Sequence, residues 1–431
     1  MKYQAPRGVK DLLPPESGSF RQLEDEVRRL FALSGFQEVR LPIFESAALF
    51  TRSIGESTDI VEKEMYLFEG KGGETLALRP EGTASLLRAA IEHRLAEPGR
   101  TSRLFYQGPM FRHERPQAGR LRQFHQAGAE ILGPNDPDTD ADLIATVSRY
   151  AQATGIPGSR LLINSMGCEN CRPEYRKRLL SYLEGQKNLL CETCVRRIAT
   201  NPLRVLDCKV EGCQAVLDAA PAITDSLCPA SRDHFERVRQ ALSEGDIPYT
   251  LSHRLVRGLD YYTETAFEWV SDALGAQSTW AAGGRYNGLV SSLGGPDVPG
   301  VGLAIGIERL FLLREKAGTL PVSKEPPVMI ALHPLDNDSR PYVRTLLAGL
   351  REEGISCVGL FGSNRLKKAF VSAEREGARY IGLAGESERS DGTLTIKDLK
   401  TGVQQTLPGH PAHDLARILR AGLQLSIDPS A

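Results

Sequence analysis

The sequence of 431 residues predicts an α+β fold in three parts: an antiparallel sheet with helices, a mostly helical insertion, and a C-terminal α/β domain. Three observations predict it. Two apolar and aromatic segments, 104–111 and 124–132, flank a turn-rich stretch typical of a long hairpin. A helical pattern dominates the cysteine-bearing insertion, at about 168–248. After residue 326, short apolar strands alternate with helices.

Composition narrows the class of protein. Hydrophobic residues make up 41% and charged residues 25% of the chain, and the formal net charge is −1. These proportions are ordinary for a globular protein. Because the charge is balanced, any surface for a nucleic acid would be a local patch. There is no long apolar run, and the first residues lack the apolar segment of a signal peptide, so we expect a cytoplasmic protein.

The N-terminal region predicts a helix followed by an edge strand. Residues 17–31 repeat apolar side chains at helical spacing. Residues 39–43 alternate apolar and polar side chains, and Pro42 places that strand at the edge of a sheet, since proline cannot donate to the ladder. An apolar edge strand needs a cover, and a second copy of the chain is one way to provide it.

A short strand at about residue 76 leads through Pro80 to a second helix. Thr83 can cap that helix, and Glu81 stands just before it. A role of Glu81 and Thr83 in starting the helix and a role in binding a ligand explain the pattern equally well. In the functional interpretation, the Glu81 carboxylate holds the ammonium group of a ligand.

The tip of the predicted hairpin is rich in arginine. Between residues 112 and 125, four arginines stand against one acid, Glu114. A guanidinium matches phosphate oxygens through paired hydrogen bonds, so this charge indicates an anionic ligand. A solvated loop tip would explain the charge equally well.

The second arm of the hairpin favours the ligand. Gln126 and Glu130 lie four residues apart and therefore share one face of a strand with Gly128. A carboxylate on an otherwise buried face is costly unless it meets a ligand or a cation.

Seven of the eight cysteines lie between Cys168 and Cys228. Two C-x-x-C pairs, Cys168 with Cys171 and Cys191 with Cys194, are more typical of zinc than of disulfides in a cytosolic protein. The alternative is a set of reduced thiols packed as small hydrophobic side chains. Because the segment between the pairs has a helical pattern and not the strands of a zinc ribbon, Zn²⁺ is possible but not favoured.

The strongest local pattern follows the insertion: Arg-Gly-Leu-Asp-Tyr-Tyr at 257–262, leading into a strand at 265–270. A tyrosine pair beside an Arg257–Asp260 ion pair is the structural interpretation. It leaves Gly258 unexplained, which indicates close approach of the backbone to another group. A strand at 278–282 then leads to a predicted glycine-rich loop at 283–288.

The first half of the chain ends in a buried strand that passes into a helix with Arg309 in its first turn, an arrangement suited to phosphate. Residues 316–327 have the composition of a linker. We therefore expect a first domain at 1–325, containing the insertion, and a small α/β domain at 326–431.

Several motifs resemble those of one enzyme family. Phe-Arg-His-Glu-Arg-Pro at 111–116 resembles motif 2 of class II aminoacyl-tRNA synthetases, and the block at 257–262 resembles the histidine-specific motif of histidyl-tRNA synthetases. The Pro42 region looks like motif 1, and the strand before Arg309 is similar to motif 3. The family usually has aspartate at Asn287. The resemblance covers about residues 5–421 and implies a class II antiparallel sheet, a homodimer and an anticodon-binding C-terminal domain.

The resemblance also implies chemistry: ATP with Mg²⁺ activates L-histidine, and the product acylates tRNA(His). Arg112 and Arg257 would be catalytic, acting on the α-phosphate. Histidine would be bound by Glu81, Gly82, Thr83, Arg112, Gln126, Glu130, Arg257, Tyr261 and Tyr262. ATP would be bound by Arg112, Glu114, Arg257 and Arg309. The acceptor end of the tRNA would meet Gln117 and Arg122.

Two alternatives belong to other classes of function. One is a non-catalytic histidine-binding regulatory subunit of histidine biosynthesis, a type that typically lacks both the block at 257–262 and the C-terminal domain. The other is an RNA-sensing or polymerase-accessory protein with a decayed synthetase domain. Retention of Glu81, Arg112, Arg257 and Arg309 speaks against decay. A Rossmann or P-loop enzyme is disfavoured because neither glycine-rich signature is present.

Overall fold

The computed structural model describes residues 3–55, 58, 60–117, 119–256, 259, 261–275, 278–322, 329–362 and 365–423. The chain forms two compact units, Met1–Ser323 and Lys324–Ala431. Among the described residues, none of the helices combines the length and apolar character that crossing a bilayer requires.

The described part of the first unit contains eleven strands: β1 (Gln37–Glu38), β2 (Phe44–Ser46), β3 (Leu67–Glu69), β4 (Thr75–Leu78), β5 (Ser102–Phe111), β6 (Gln123–Leu132), β7 (Ser159–Ser165), β8 (Thr250–Leu251), β9 (Thr263–Ser271), β10 (Thr279–Arg285) and β11 (Gly300–Gly306). It also contains ten α-helices: α1 (Glu16–Leu33), α2 (Ala47–Ile54), α3 (Thr83–Glu92), α4 (Pro137–Ala153), α5 (Arg172–Gly185), α6 (Glu192–Thr200), α7 (Glu211–Asp218), α8 (Pro229–Glu244), α9 (Leu289–Ser292) and α10 (Ile307–Lys316).

The main sheet has eight strands in the order β1-β5-β6-β11-β10-β9-β7-β8. In the described part of this sheet, the six central strands are antiparallel to one another, and the two edge pairs, β1–β5 and β7–β8, are parallel. Helix α1 lies against this sheet and buries one face. The predicted antiparallel sheet with flanking helices is confirmed, as is the hairpin formed by β5 and β6.

The register of β6 places its polar residues beside glycines. Gln126 is opposite Gly306, and Glu130 is opposite Gly302. A methyl group at Gly302 would overlap the Glu130 carboxylate. The predicted shared face of Gln126 and Glu130 is therefore present, and glycine in the neighbouring strand makes room for the larger side chain.

Two local predictions were wrong. Residues 39–43 form no strand, because β1 ends at Glu38 and β2 begins at Phe44. The guanidinium of Arg79 instead donates hydrogen bonds to the carbonyls of Leu41 and Pro42, at 2.9 and 3.1 Å. The strand before that gap, β1, is nevertheless an edge strand.

The predicted glycine-rich loop also begins later than expected. Gly283 and Gly284 belong to β10, where a side chain on Gly284 would press on the backbone of Thr265 and the ring of Tyr262. These glycines serve close strand packing, and not a turn.

The insertion is helical, with α5 to α8 and several 3₁₀ turns, as predicted. The second unit has a five-stranded sheet in the order β13-β12-β14-β15-β16, with parallel pairing around β12 and antiparallel pairing from β14 onward. Its strands are β12 (Ile330–Pro334), β13 (Cys357–Gly359), β14 (Tyr380–Ala384), β15 (Thr393–Asp398) and β16 (Gln404–Pro408), and its described helices are α11 (Arg340–Glu352), α12 (Leu366–Arg375), α13 (Glu386–Asp391) and α14 (Ala412–Ala421).

Candidate active site

The base of the hairpin tip fixes Arg112. Its backbone N–H donates to the carbonyl of Arg122 at 2.9 Å, and its Nε donates to the carbonyl of Pro80 at 2.8 Å. The guanidinium carbon lies 5.3 Å from the centroid of the Phe124 ring, and Nη1 lies 3.7 Å from Oε1 of Glu114. The guanidinium is thus held in one orientation before any ligand arrives.

Arg112 faces a cavity of about 290 Å³ above the sheet. Glu114, Gln126 and Arg309 line the same cavity, so four of the residues assigned to ATP or histidine from the sequence come together there. Arg120, which also lines the cavity, forms an ion pair with Glu114. The charged side chains that line the cavity are therefore three arginines and three glutamates, and one of the glutamates, Glu308, is paired with His125.

Arg309 reaches this cavity from the first turn of α10. Its Nε donates to the carbonyl of Gly119 at 3.1 Å, and its Nη1 donates to the carbonyl of Thr279. Burial, and then the charges of Arg120 and Arg112, lower the pKa of Arg309 to about 10. Burial also lowers the pKa of Arg112. Cations packed this closely favour an anionic ligand.

Farther along β6, Glu130 is completely buried. Its Oε1 accepts a hydrogen bond from the hydroxyl of Thr83 at 2.7 Å, and its Oε2 accepts one from the hydroxyl of Tyr286 at 2.6 Å. Burial raises the pKa of Glu130 to about 8, even though both hydrogen bonds act in the opposite direction. Tyr286 had no assigned role in the sequence; its place beside the strand glycines was the only available signal.

Glu81 lies two residues before the helix α3, which begins at Thr83. Its carboxylate accepts the backbone N–H groups of Thr83 and Ala84 at 2.7 and 2.9 Å. The prediction that Thr83 caps this helix was wrong: Thr83 is the first helical residue, and Glu81 supplies the capping oxygens. Burial raises the pKa of Glu81. A Cβ on Gly82 would overlap the ring of Tyr106, so glycine is required between them.

Tyr286, whose hydroxyl donates to Glu130, belongs to a group of three aromatic side chains. The rings of Tyr261 and Tyr262 have centroids 4.6 Å apart, and Tyr261 meets Tyr286 at 5.9 Å with an interplanar angle of 81°. Burial raises the pKa of Tyr261 well above its usual value. Burial likewise raises the pKa of Tyr286, so these two phenols remain neutral hydrogen-bonding groups at ordinary pH.

Gln126 lies on the same strand face, toward the cavity. Within the described residues its side-chain carbonyl oxygen is buried and accepts no hydrogen bond. A buried polar atom without a partner is costly, so this oxygen is available to a donor on a ligand.

The Tyr286 segment is anchored by a buried ion pair. Arg285 and Asp140 are both fully buried and bonded to each other. Asn287 accepts a hydrogen bond from Arg285 Nη1 at 3.2 Å and donates one from Nδ2 to Asn135 Oδ1 at 3.0 Å. An aspartate at position 287 would lack that second hydrogen bond. Asn287 therefore supports the loop without needing a charge.

The remaining assigned residues differ in their placement. Arg122 donates from its backbone to Gly8 at 2.7 Å and from Nη1 to the carbonyl of Arg7 at 3.4 Å, so it holds the N-terminal segment. Gln117 is exposed and forms backbone hydrogen bonds with Arg120. Arg257 lies outside the described residues, as do its neighbours 258 and 260.

The two C-x-x-C pairs lie in different thiol groups. Cys168 and Cys171 lie with Cys228. Cys191 and Cys194 lie with two other cysteines of the insertion, Cys208 and Cys213. The four candidates taken from the sequence are thus divided between two places, because the intervening α5 separates the pairs.

Comparison with known proteins gives matches over both units. Residues 8–310 match a family model described as histidyl-tRNA synthetase, and residues 322–415 match one described as anticodon binding domain. The chain is 47% identical over 417 residues to a protein of Trichlorobacter lovleyi named histidine–tRNA ligase, covering 97% of each chain. A protein of Geobacter sulfurreducens with the same name is 44% identical over 412 residues, covering 96% of this chain and 98% of its own.

Solved structures agree with these matches. The crystal structure of apo histidyl-tRNA synthetase from S. aureus superimposes with a TM-score of 0.79 at 34% identity, covering 96% of this chain and 100% of that one. A chain from Bacillus halodurans described as an ATP phosphoribosyltransferase regulatory subunit/histidyl-tRNA synthetase has a TM-score of 0.62 at 19% identity, covering 89% and 99% of the two chains. At that identity the second likeness concerns the fold alone.

Proposed function

This chain belongs to the histidyl-tRNA synthetase family, and we propose that it is a histidine–tRNA ligase. It activates L-histidine with ATP to histidyl-adenylate and then transfers the histidyl group to the 3′ end of tRNA(His). The observation that carries this proposal is the arrangement along β6: Gln126 stands at a cavity lined by arginines, and Glu130 stands four residues away among tyrosines. Because a strand rises about 3.3 Å per residue, the backbone positions of Gln126 and Glu130 lie roughly 13 Å apart along one face of β6.

In the activation step, a carboxylate oxygen of histidine attacks the α-phosphate of ATP, and pyrophosphate leaves. Negative charge builds on the phosphoryl oxygens, so fixed cations aimed at them lower the barrier. Arg112 is suited to this role because Pro80 and Phe124 already orient its guanidinium. Arg257 is proposed as the second cation on the α-phosphate, from its sequence motif, and Arg309 as the contact for the outer phosphates.

The phosphates of ATP bind a divalent metal ion, and we propose that this ion is Mg²⁺. This ion prefers oxygen ligands and is commonly shared between one or two carboxylates and the substrate phosphates. Glu114 and Glu268 line the arginine cavity, so the donor set fits. When bound with ATP, the ion would neutralise part of the phosphate charge.

At the other end of the site, histidine is held by groups that pair with both of its polar parts. The Glu130 carboxylate, hydrogen-bonded to Thr83 and Tyr286, faces the imidazole together with Tyr261 and Tyr262. Glu81, Gly82 and Thr83 bind the α-amino group of histidine, and the side-chain oxygen of Gln126 accepts a hydrogen bond from a further N–H of the same ligand. Sites that hydrogen-bond a polar side chain reach discrimination on the order of 10⁴–10⁵ against analogues that lack it.

The second unit completes the substrate set. Because residues 322–415 match an anticodon-binding model, we propose that this unit binds the anticodon region of tRNA(His). Gln117 at the hairpin tip is the proposed contact for the acceptor end; for Arg122 that role is weaker, since it holds the N-terminal segment. The boundaries proposed are 1–325, with the insertion at about 168–248, and 326–431. A cytoplasmic homodimer is part of the same proposal.

The alternative, a non-catalytic histidine-binding regulatory subunit of histidine biosynthesis, is less well supported. Such a protein needs the pocket around Glu130 but has no use for three arginines around a second cavity. The curated histidine–tRNA ligases also match both units of the chain, at 97% coverage for the Trichlorobacter protein.

Histidine-dependent ATP–pyrophosphate exchange tests the proposal. We expect exchange in the native protein and a loss of roughly 10²–10³-fold in Arg112→Ala, the scale for removing one group that stabilises developing charge. Arg103→Ala is the matched control, because this arginine is on the same hairpin but pairs with Asp142, at 3.0 Å. Absence of exchange in the native protein, or near-normal exchange in Arg112→Ala, would contradict the proposal.

A further inference from the structure

Four thiols of the insertion converge on one point. The Sγ atoms of Cys191, Cys194, Cys208 and Cys213 all lie within 4.8 Å of one another, and those of Cys191 and Cys208 are 3.9 Å apart. None of these cysteines forms a disulfide. Cys194, Cys208 and Cys213 are buried, and Cys191 is partly exposed.

The spacing of the sulfur atoms fits a single tetrahedral metal ion. Zinc–thiolate bonds of about 2.3 Å place the sulfurs at the corners of a tetrahedron with edges of about 3.8 Å. A disulfide would need an S–S distance of about 2.05 Å. An iron–sulfur cluster would hold its cysteines on different iron atoms, and therefore farther apart. Four sulfur ligands and no oxygen ligand favour Zn²⁺ over Mg²⁺ or Ca²⁺.

The surrounding backbone is arranged to support thiolates. The N–H of Cys191 donates to Sγ of Cys213 at 3.2 Å, and the N–H of Val210 donates to Sγ of Cys208 at 3.4 Å. Hydrogen bonds from amides to ligand atoms orient the ligands and spread the negative charge that thiolates bring.

The helices that carry these cysteines have little else to stabilise them. Cys191 immediately precedes α6 and Cys194 lies in its first turn, while Cys213 belongs to α7. The two helices have nine and eight residues, and they bury only Cys194, Ile198, Cys213, Val216 and Leu217. Helices this short are marginal without tertiary support, and here two of the five buried side chains are members of the thiol group.

We propose that Cys191, Cys194, Cys208 and Cys213 bind one Zn²⁺ ion that ties α6 and α7 to the loop between them. The ion is structural, because four protein sulfurs fill its coordination sphere and leave no position for substrate. The group at Cys168, Cys171 and Cys228 has three thiols and is not part of this proposal.

The proposed zinc site also positions the segment that enters the active site. Arg254 donates from Nη1 to Gln214 Oε1 and Asp218 Oδ1, both at 2.7 Å, and from Nη2 to the carbonyl of Cys208 at 3.3 Å. Two of these acceptors belong to α7, and the third to a ligand residue. Because Arg254 opens the segment that leads to Tyr261 and Tyr262, an ion that fixes α7 and Cys208 also fixes the start of that segment.

The metal content of the full-length protein, purified without chelators, tests the proposal. We expect at least one zinc per chain by inductively coupled plasma mass spectrometry. Cys208→Ser and Cys213→Ser should each contain one equivalent less than the native protein. Cys357→Ser is the matched control, since this buried thiol lies in the second unit, outside both thiol groups, and its zinc content should equal that of the native protein.

Misfolding of a serine variant could release the ion for another reason, so a ligand-preserving variant is needed. Cys208→His keeps a zinc ligand and should retain the ion that Cys208→Ser loses. Replacement of the ion by Co²⁺ in the native protein should give the absorption of a tetrahedral thiolate site, with weaker bands in Cys208→Ser. Native protein without zinc, or Cys208→Ser with unchanged zinc and unchanged cobalt spectrum, would overturn the proposal.

Discussion

Glu130 combines complete burial with two short hydrogen bonds, from Thr83 and Tyr286. Burial raises its pKa to about 8, well above that of an unfolded glutamate. The folded protein therefore favours the protonated form. Protonated Glu130 therefore stabilises the folded protein fully at pH values below the pKa of glutamate in the unfolded chain, and this stabilisation is lost as the pH rises toward 8.

Glu130→Gln removes this titration while keeping the shape of the side chain. Between pH 6 and pH 8 the native protein should lose about 2 kcal/mol of its free energy of unfolding through Glu130, since one pKa unit is worth about 1.4 kcal/mol. The variant should not show this loss, so its stability relative to the native protein should rise by the same amount. Urea unfolding of both ligand-free proteins at several pH values measures it. Parallel pH profiles would show that Glu130 does not titrate in this range.

Gly302 is the second residue on which the pocket depends, because a side chain there would overlap the Glu130 carboxylate. Gly302→Ala should lower the free energy of unfolding by about 1–3 kcal/mol, the usual cost of overpacking, and should also weaken histidine binding. Gly185→Ala is the control, since nothing lies within 4 Å of the added methyl group. Equal melting temperatures for both variants would contradict the close packing described for Glu130.

At the scale of single elements, the hairpin was predictable and the start of the chain was not. β5 and β6 are long and apolar, so their pattern outweighed the charged tip between them. Residues 39–43 alternate as a strand would, but their carbonyls bond to Arg79, a residue about 40 positions away that no local pattern reveals. Gly283 and Gly284 were predicted as part of a loop because the close packing that requires them depends on the register of β10 with β9 and β11, which no local pattern shows.

The site was predictable to the extent that its residues belong to motifs. Glu81, Thr83, Arg112, Gln126, Glu130 and Arg309 come close to one another or to one cavity. Tyr286 and the grouping of Cys191 with Cys208 and Cys213 depend on strand register and helix packing, which the sequence does not display.

The segment that starts at Arg254 offers a prediction at this scale. Arg254→Ala removes three hydrogen bonds to the α7 region but no zinc ligand. Zinc content should stay at the native value, while histidine-dependent pyrophosphate exchange should fall by about tenfold, the cost of losing roughly 1.4 kcal/mol of positioning. Arg237→Ala is the control, because this arginine is exposed on α8 and its ion pair in the described part of the chain is a surface contact with Asp138 at 3.2 Å. Unchanged pyrophosphate exchange in Arg254→Ala would show that the contacts between Arg254 and α7 do not contribute to catalysis.

At the scale of the whole molecule, the two units have separate hydrophobic cores. All the described residues around the arginine cavity and Glu130 belong to the first unit. A protein lacking residues 326–431 should therefore retain pyrophosphate exchange within a few-fold and lose most aminoacylation of tRNA. Both activities should be measured on the same preparation, with circular dichroism to check folding. Equal loss of both activities would show that the second unit is needed for the structure of the first.

The crowding of Arg112, Arg120 and Arg309 carries a consequence for the ligand-free protein. Guanidinium groups confined in one cavity repel one another, and the lowered pKa of Arg309 reflects that repulsion as well as burial. A polyanion that enters the cavity relieves the repulsion in addition to forming its own hydrogen bonds. In the proposed function, the phosphates of the nucleotide would therefore add to the negative charge of Glu114, which already pairs with Arg120, and this electrostatic contribution does not depend on the adenine base.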